Sequence, residues 1–177
     1  WRDWSSDVCS SDLTRKVEDL VATLGIERIS KSQVSSLAKS LDDGVRAFRE
    51  RPLSGRFRYV WLDALVFKCR EGGRIVNVAG LVAVGVNDEG RREVLGLDVV
   101  ASEDGAGWLA FLRSLKARGL AGVELVVSDA HTGLRDAIAS VLTGASWQRC
   151  RTHFMRNLLT RVPKAAQGLV ATLVRSI

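Results

Sequence analysis

Two aspartates sit where carboxylates could do chemistry. Asp63 lies in the middle of an otherwise apolar stretch, RYVWLDALVF (58–67), and Asp129 stands where a second apolar run, VELVV (123–127), stops and a helical pattern begins. A carboxylate on a largely apolar strand is costly unless something compensates it, and a metal ion would do so. If the two strands lie side by side, both acids emerge near one end of one sheet. They would then offer Mg²⁺ or Mn²⁺ the hard oxygen ligands, with positions left open for phosphate, that phosphodiester hydrolysis and strand transfer use. Each acid has a plainer alternative when taken singly: Asp63 bonded to nearby backbone, and Asp129 as a helix N-cap.

A second constellation is Cys150 and His153, three positions apart, with Asn157 one turn further on. A CxxH pair is half of a zinc site, but no second pair follows, and Cys69 and His131 lack motif spacing. The pair therefore reads as a structural lock at a strand–helix junction. The chain contains no P-loop, no dinucleotide-binding glycine pattern and no nucleophile elbow.

The elements that must position these residues follow from the hydrophobic periods. Val17, Leu20, Val21 and Leu24 share a helical face that Gly25 ends. Ser30 with Gln33 three residues on forms a capping-box pair for a second helix, lined by Val34, Leu37, Leu41, Val45 and Phe48. Helix, short turn and helix, with Lys31 and Gln33 early in the second, has the shape of a helix-turn-helix whose polar start faces DNA; a simple packing hairpin fits the pattern as well. Pro52 and Gly55 then break the period. Three strands follow (58–69, 75–86 and 92–100), joined by turns at Glu71-Gly72-Gly73 and 87–90, with Asp63 on the face of Trp61, Leu65 and Phe67 and with Val60, Leu62 and Val66 opposite. Next comes a helix capped by Ser102, with Glu103 and Asp104 in its first turn and Trp108, Phe111, Leu112 and Leu115 as its inner stripe. A short strand, a helix through Leu134, Ile138 and Val141, a strand at 147–150, a helix at 153–161 and a last helix after Pro163 complete the order. An antiparallel meander continued by α/β units predicts a mixed sheet flanked by helices.

Composition fits one globular core: 177 residues, 46% hydrophobic and 26% charged, with net charge +6. No acid follows Asp136, whereas Arg149, Arg151, Arg156, Arg161, Lys164 and Arg175 do. Such a one-signed field attracts a polyanion, and Arg149, Arg151, Arg156 and Arg161 are the expected phosphate contacts. Three cysteines without framework spacing suit a reducing compartment. The longest mostly apolar run, 75–86, is too short to span a bilayer, so the expectation is a cytoplasmic, nucleoid-associated protein with no membrane partner.

Five ordered strings, YVWLDAL, GVNDEGRREVLGLDV, SEDGAGWLAFLRSLKARGL, VVSDAHTGLRDAI and WQRCRTHFMRNLL, resemble the central region of bacterial Mutator-type insertion-sequence transposases over about residues 13–177. The resemblance implies a ribonuclease-H-like core using an acidic DDE triad and Mg²⁺ or Mn²⁺, with Asp63 and Asp129 matching its first two acids and Cys150 and His153 its cysteine–histidine signature. It implies DNA-end cleavage and strand transfer, double-stranded DNA partners (terminal repeats and target) and self-association. The family's glutamate lies beyond the signature, after an inserted helical domain, and Glu103 and Glu124 flank the wrong elements to replace it. The expectation is thus an incomplete core: a leader at 1–12 that looks like sequencing-adaptor read-through, a helix-turn-helix-like segment at 13–50, and a partial catalytic core at 56–177, inactive alone. The alternatives are a non-catalytic DNA-binding remnant and another ribonuclease-H-like nuclease.

Overall fold

The computed structural model describes residues 30–176. The leader at 1–12, the helical pattern at 14–24 and the side chain of Lys31 lie outside the described residues. The chain divides into two compact units, Trp1–Arg51 with Lys68–Val76, and Pro52–Phe67 with Asn77–Ile177.

In the first unit, α1 (Lys31–Glu50) begins with the capping box that the Ser30–Gln33 spacing predicts. The Gln33 N–H donates to Ser30 Oγ at 3.3 Å, and the Ser30 N–H donates to Gln33 Oε1 at 2.8 Å. The amide oxygen of Gln33 is therefore held by the helix start. Val34 is buried, while Leu37, Leu41 and Val45 of the same stripe are exposed.

The sheet, ordered β3-β2-β1-β4-β5, belongs to the second unit except for the β1–β2 hairpin end within Lys68–Val76. Strands β1 (Tyr59–Glu71) and β2 (Arg74–Val86) meet at Gly72 and Gly73, both at positive φ, which a two-residue hairpin turn of this twist requires. Strand β3 (Arg92–Val100) pairs antiparallel with β2, with a bulge between Ala83 and Val84. Strand β4 (Leu125–Ser128) pairs parallel with β1, and β5 (Ser146–Arg149) pairs parallel with β4. The mixed sheet with its helices agrees with the expected architecture.

One face is sealed by α2 (Gly105–Ala117) and α3 (Thr132–Val141). Trp108, Phe111, Leu112, Leu115, Leu134 and Ile138 pack with Val60, Leu62, Leu81, Leu95 and Val126 into one buried cluster. Tyr59, Trp61, Leu65 and Phe67, on the other face of β1, stay exposed. Val66, expected with the inner residues, is 66% exposed: beyond Ala64 the alternation no longer separates buried from open. A second correction concerns the start of α2. Its N-cap is Asp104, not Ser102; Asp104 Oδ1 accepts the Gly107 N–H at 2.7 Å, and the Ser102 hydroxyl donates to the same carboxylate. A charged acceptor outcompetes a hydroxyl for the orphan N–H groups. Those bonds, the one from Gly107 first, hold the Asp104 carboxyl below its ordinary pKa. The cap's contribution is thus present above the ordinary carboxylate pKa and lost as pH falls through the lowered value. The short helices α4 (Arg151–Leu159) and α5 (Lys164–Arg175) bury no residue fully.

The starts of α2 and α3 meet backbone to backbone. A Cβ on Gly133 would stand 2.7 Å from Gly105 Cα and 2.8 Å from its N, where neither atom can yield. Gly133→Ala should therefore destabilise the chain by about 1–3 kcal/mol through overpacking. Gly168→Ala, in α5 with nothing within 4 Å, should stabilise it by about 0.5–1 kcal/mol through helix propensity. Urea unfolding of the two variants checks both signs; a neutral Gly133→Ala would show that the helices have room to separate.

Candidate active site

Parallel pairing brings the two aspartates together. Tyr59 pairs with Leu125, Val60 with Val126 and Trp61 with Val127, a constant offset of 66 positions, which is also the separation of Asp63 and Asp129. Neighbouring parallel strands in one register turn equivalent residues to the same face, so the buried partners are Val60 and Val126, and the aspartates belong to the opposite set. Both line one cleft with Leu62, Ala64, Glu103, Trp108, Leu134 and His153. Asp63 Oδ1 accepts the Ala64 N–H at 2.9 Å, and Asp129 Oδ1 accepts the Ala130 N–H at 2.6 Å. Each carboxylate is thus steadied on one oxygen by the residue that follows it. The side chain of Asp63 is 55% exposed, so the burial cost expected for it does not arise. Asp129 is not a helix cap: α3 is capped by His131, whose Nδ1 accepts the Leu134 N–H at 3.2 Å.

The strand end that carries Asp129 is braced from behind. Ser128 is almost completely buried; its hydroxyl donates to the Asp129 carbonyl at 2.8 Å and accepts the Trp147 indole N–H at 2.9 Å. The Arg135 guanidinium lies 4.5 Å from the centre of the Trp147 ring. This serine carries no motif, and only the β4–β5 register exposes its role.

Cys150 and His153 are both near the site and do different things. Cys150 precedes α4, and its main-chain N–H donates to the Ser128 carbonyl at 2.6 Å. One turn on, His153 Nε2 lies 3.7 Å from Asp63 Oδ1. Among the described residues, no group of three or more His, Cys, Asp or Glu side chains is arranged to hold a metal ion. Glu103 sits in the cleft all the same, accepting the Trp108 indole N–H at 3.2 Å; sequence spacing could not show that the β3–α2 loop returns to this end of the sheet. Glu124 is at the other end of β4, pairing with Arg56 and Arg58 at 3.5 and 3.7 Å.

The arginines divide in the same way. Arg149 pairs with Ser128 in the β4–β5 register and stacks over Phe154 at 5.3 Å. Arg151 instead donates to the carbonyls of Val174 and Arg175 at 3.0 and 3.1 Å, closing the end of α5. Arg156 and Arg161 are exposed.

The sequence profile described as "Transposase, Mutator family" matches residues 12–177. The chain belongs to the Mutator family of transposases. It is 57% identical over 165 residues to the transposase for insertion sequence element IS1081 of Mycobacterium tuberculosis, covering 93% of this chain and 40% of that one. It is 45% identical over 151 residues to the ISRM5 transposase of Rhizobium meliloti, covering 85% and 38%. The chain therefore spans about two fifths of the length of the curated relatives it matches. Among solved structures it has a slight likeness to the HTLV-2 integrase catalytic core domain in complex with magnesium, at 16% identity and a TM-score of 0.37, over 68% of this chain and 85% of that one.

In this Mutator-family chain the buried brace makes a direct prediction. Ser128→Ala strands the Trp147 N–H and should cost about 1–3 kcal/mol. Trp147→Phe in the same chain removes the stranded donor, so the double variant should be less unstable than the two single costs added. Additive costs in urea unfolding would show that the indole and the hydroxyl act independently.

Proposed function

We propose that this segment forms the catalytic centre of an insertion-sequence DNA transposase of the DDE type, with Asp63 and Asp129 as two of its metal-holding acids. The observation that carries the reading is that both line one cleft, at the spacing that the β1–β4 register sets. The donor set fits a hard divalent ion such as Mg²⁺ or Mn²⁺: two carboxylates, each steadied on one oxygen by its own backbone, beside open solvent. When bound, such an ion polarises phosphoryl oxygens and lowers the pKa of attacking water. The reaction is cleavage of a phosphodiester at the element's ends by water, releasing a 3′-hydroxyl, followed by attack of that hydroxyl on a phosphodiester of target DNA. The partners are the terminal repeats, target duplex and further copies of the chain. The compartment is the cytoplasm, at the nucleoid, and among the described residues no helix is long and apolar enough to cross a membrane.

The chain's own residues supply the rest. Arg149, next to Ser128 in the β4–β5 register, adds positive charge at this end of the sheet. Arg156 and Arg161, exposed on and after α4, extend the positive surface along a backbone. Arg151 contributes by holding α5 in place rather than by contacting phosphate. The exposed apolar side chains of Phe154, Leu169 and Leu173 offer a surface for self-association. Gln33 already serves the capping box, so base reading by α1 would fall to other positions of the first turn.

Grafting tests the catalytic assignment. Residues 12–177, placed in the IS1081 transposase in place of its matching segment, should support Mg²⁺-dependent strand transfer. Asp63→Asn or Asp129→Asn in the graft should lower the rate on the order of a hundredfold to a thousandfold or more, as loss of transition-state charge stabilisation does, while DNA binding persists. Activity in either Asn variant would remove these acids from the mechanism. The phosphate assignment is tested by fluorescence anisotropy with the chain itself. If Arg149, Arg156 and Arg161 each neutralise one phosphate, affinity should fall roughly 40-fold between about 50 and 200 mM salt. It should differ little between terminal-repeat and random duplexes. Arg151→Gln should leave that slope unchanged; a lower slope would return Arg151 to the interface.

A further inference from the structure

The CxxH pair spans the two strands that bear the aspartates. On the β4 side, the Cys150 main-chain N–H is bonded to the carbonyl of Ser128, the residue before Asp129. On the β1 side, the His153 imidazole faces Asp63 Oδ1. The ring is largely enclosed, with 18% of the side chain accessible, and its Nδ1 is buried without a hydrogen-bond partner. A neutral imidazole has one donor and one acceptor nitrogen. Burying a donor with no acceptor is the less tolerated arrangement, so the proton belongs on Nε2, the nitrogen that looks at Asp63. At 3.7 Å the two groups face each other just beyond hydrogen-bond range. The Ala64 N–H already holds the same Oδ1. A hydrogen bond from Nε2 would add a second donor on that oxygen and leave Oδ2 for a ligand.

We propose that Cys150–His153 is a strap rather than half of a zinc site, and that His153 is a positioning residue for Asp63. The Cys150 backbone fixes α4 to the strand of Asp129, and one helical turn later the imidazole fixes the rotation of the Asp63 carboxylate. The two acids of the centre are thereby coupled through three residues of α4. This rests on the reading of Asp63 and Asp129 as metal-holding acids, and the test separates the two.

Mn²⁺ binding to the 177-residue chain is measured by the electron paramagnetic resonance of the free ion, alongside ¹⁵N spectra of the metal-free histidines. His153→Ala should weaken Mn²⁺ binding about tenfold or more, the usual effect of losing an outer partner of a metal ligand. His153→Gln, which keeps one N–H donor, should recover to within about threefold of the unchanged chain; a merely structural loss would not be rescued this way. The sequence has only two histidines, so His131 is the internal comparison. Asp63→Ala should shift the His153 Nε2 signal and leave that of His131 in place. If Asp63→Ala and Asp129→Ala abolish Mn²⁺ binding while both His153 variants bind as the unchanged chain does, the strap is overturned and the metal reading stands. If neither aspartate variant alters Mn²⁺ binding, the metal reading falls and the strap's role in it falls too. A thiolate-to-metal absorption band on adding Co²⁺ that disappears in Cys150→Ser would place Cys150 in a metal site and overturn the strap.

Discussion

The parallel pairing of β1 with β4 is the constraint on which the rest depends. Three paired residues, from Tyr59–Leu125 to Trp61–Val127, set an offset equal to the spacing between Asp63, on β1, and Asp129, which follows the last residue of β4. A slip of one residue would turn one aspartate to the opposite face and drive it among Val60, Leu62 and Val126. The buried side of the sheet thus fixes the geometry of the open side. Val60 and Val126, neither of them accessible, hold the register through the hydrophobic cost of exposing them, and the aspartates inherit their geometry from that.

Around this pair the fold adds bracing in layers. Gly105 and Gly133 let the starts of α2 and α3 touch, which brings the β3–α2 loop, with Glu103, to the cleft that Asp129 lines. Ser128 and Trp147 fix the exit of β4 from behind, and Cys150 and His153 reach over it from β5 to β1. The interior braces are hydrogen bonds between uncharged groups and packed backbone. Buried ion pairs at the same positions would have to overcome several kcal/mol of desolvation per ion.

Much of this is legible in the amino-acid order, and the parts that are not share a physical cause. Period-two and period-3.6 patterns give the elements, and a capping box announces α1, because those signals depend on neighbours in the chain. The equal spacing of Asp63 and Asp129 is also in the sequence, but its meaning needs the β1–β4 register, which is a long-range pairing. Glu103 and Ser128 illustrate the limit: each looks like a helix-start acid or a small strand residue until the loop and β5 are in place. Arg151 shows the converse, a cation in a basic run that turns inward to the carbonyls ending α5. Ser102 yields its capping place to Asp104 because two acceptors compete within three residues, and the local pattern alone does not rank them. The open face of β1 explains why the expected burial of Asp63 was overstated: alternation identifies two faces, and only tertiary packing decides which is covered.

The most direct test of the shared register is to let the metal mark its own surroundings. With Fe²⁺ in place of Mg²⁺, ascorbate and peroxide generate hydroxyl radicals at the bound ion, and the chain is cut within a few residues of the ligands. The account predicts two clusters of cuts in the same molecules, one around residues 62–64 and the other around 128–130, both suppressed by excess Mg²⁺ and both lost in Asp63→Asn. Cutting at only one of the two strands, or cuts around Glu124 that persist in Asp63→Asn, would contradict it.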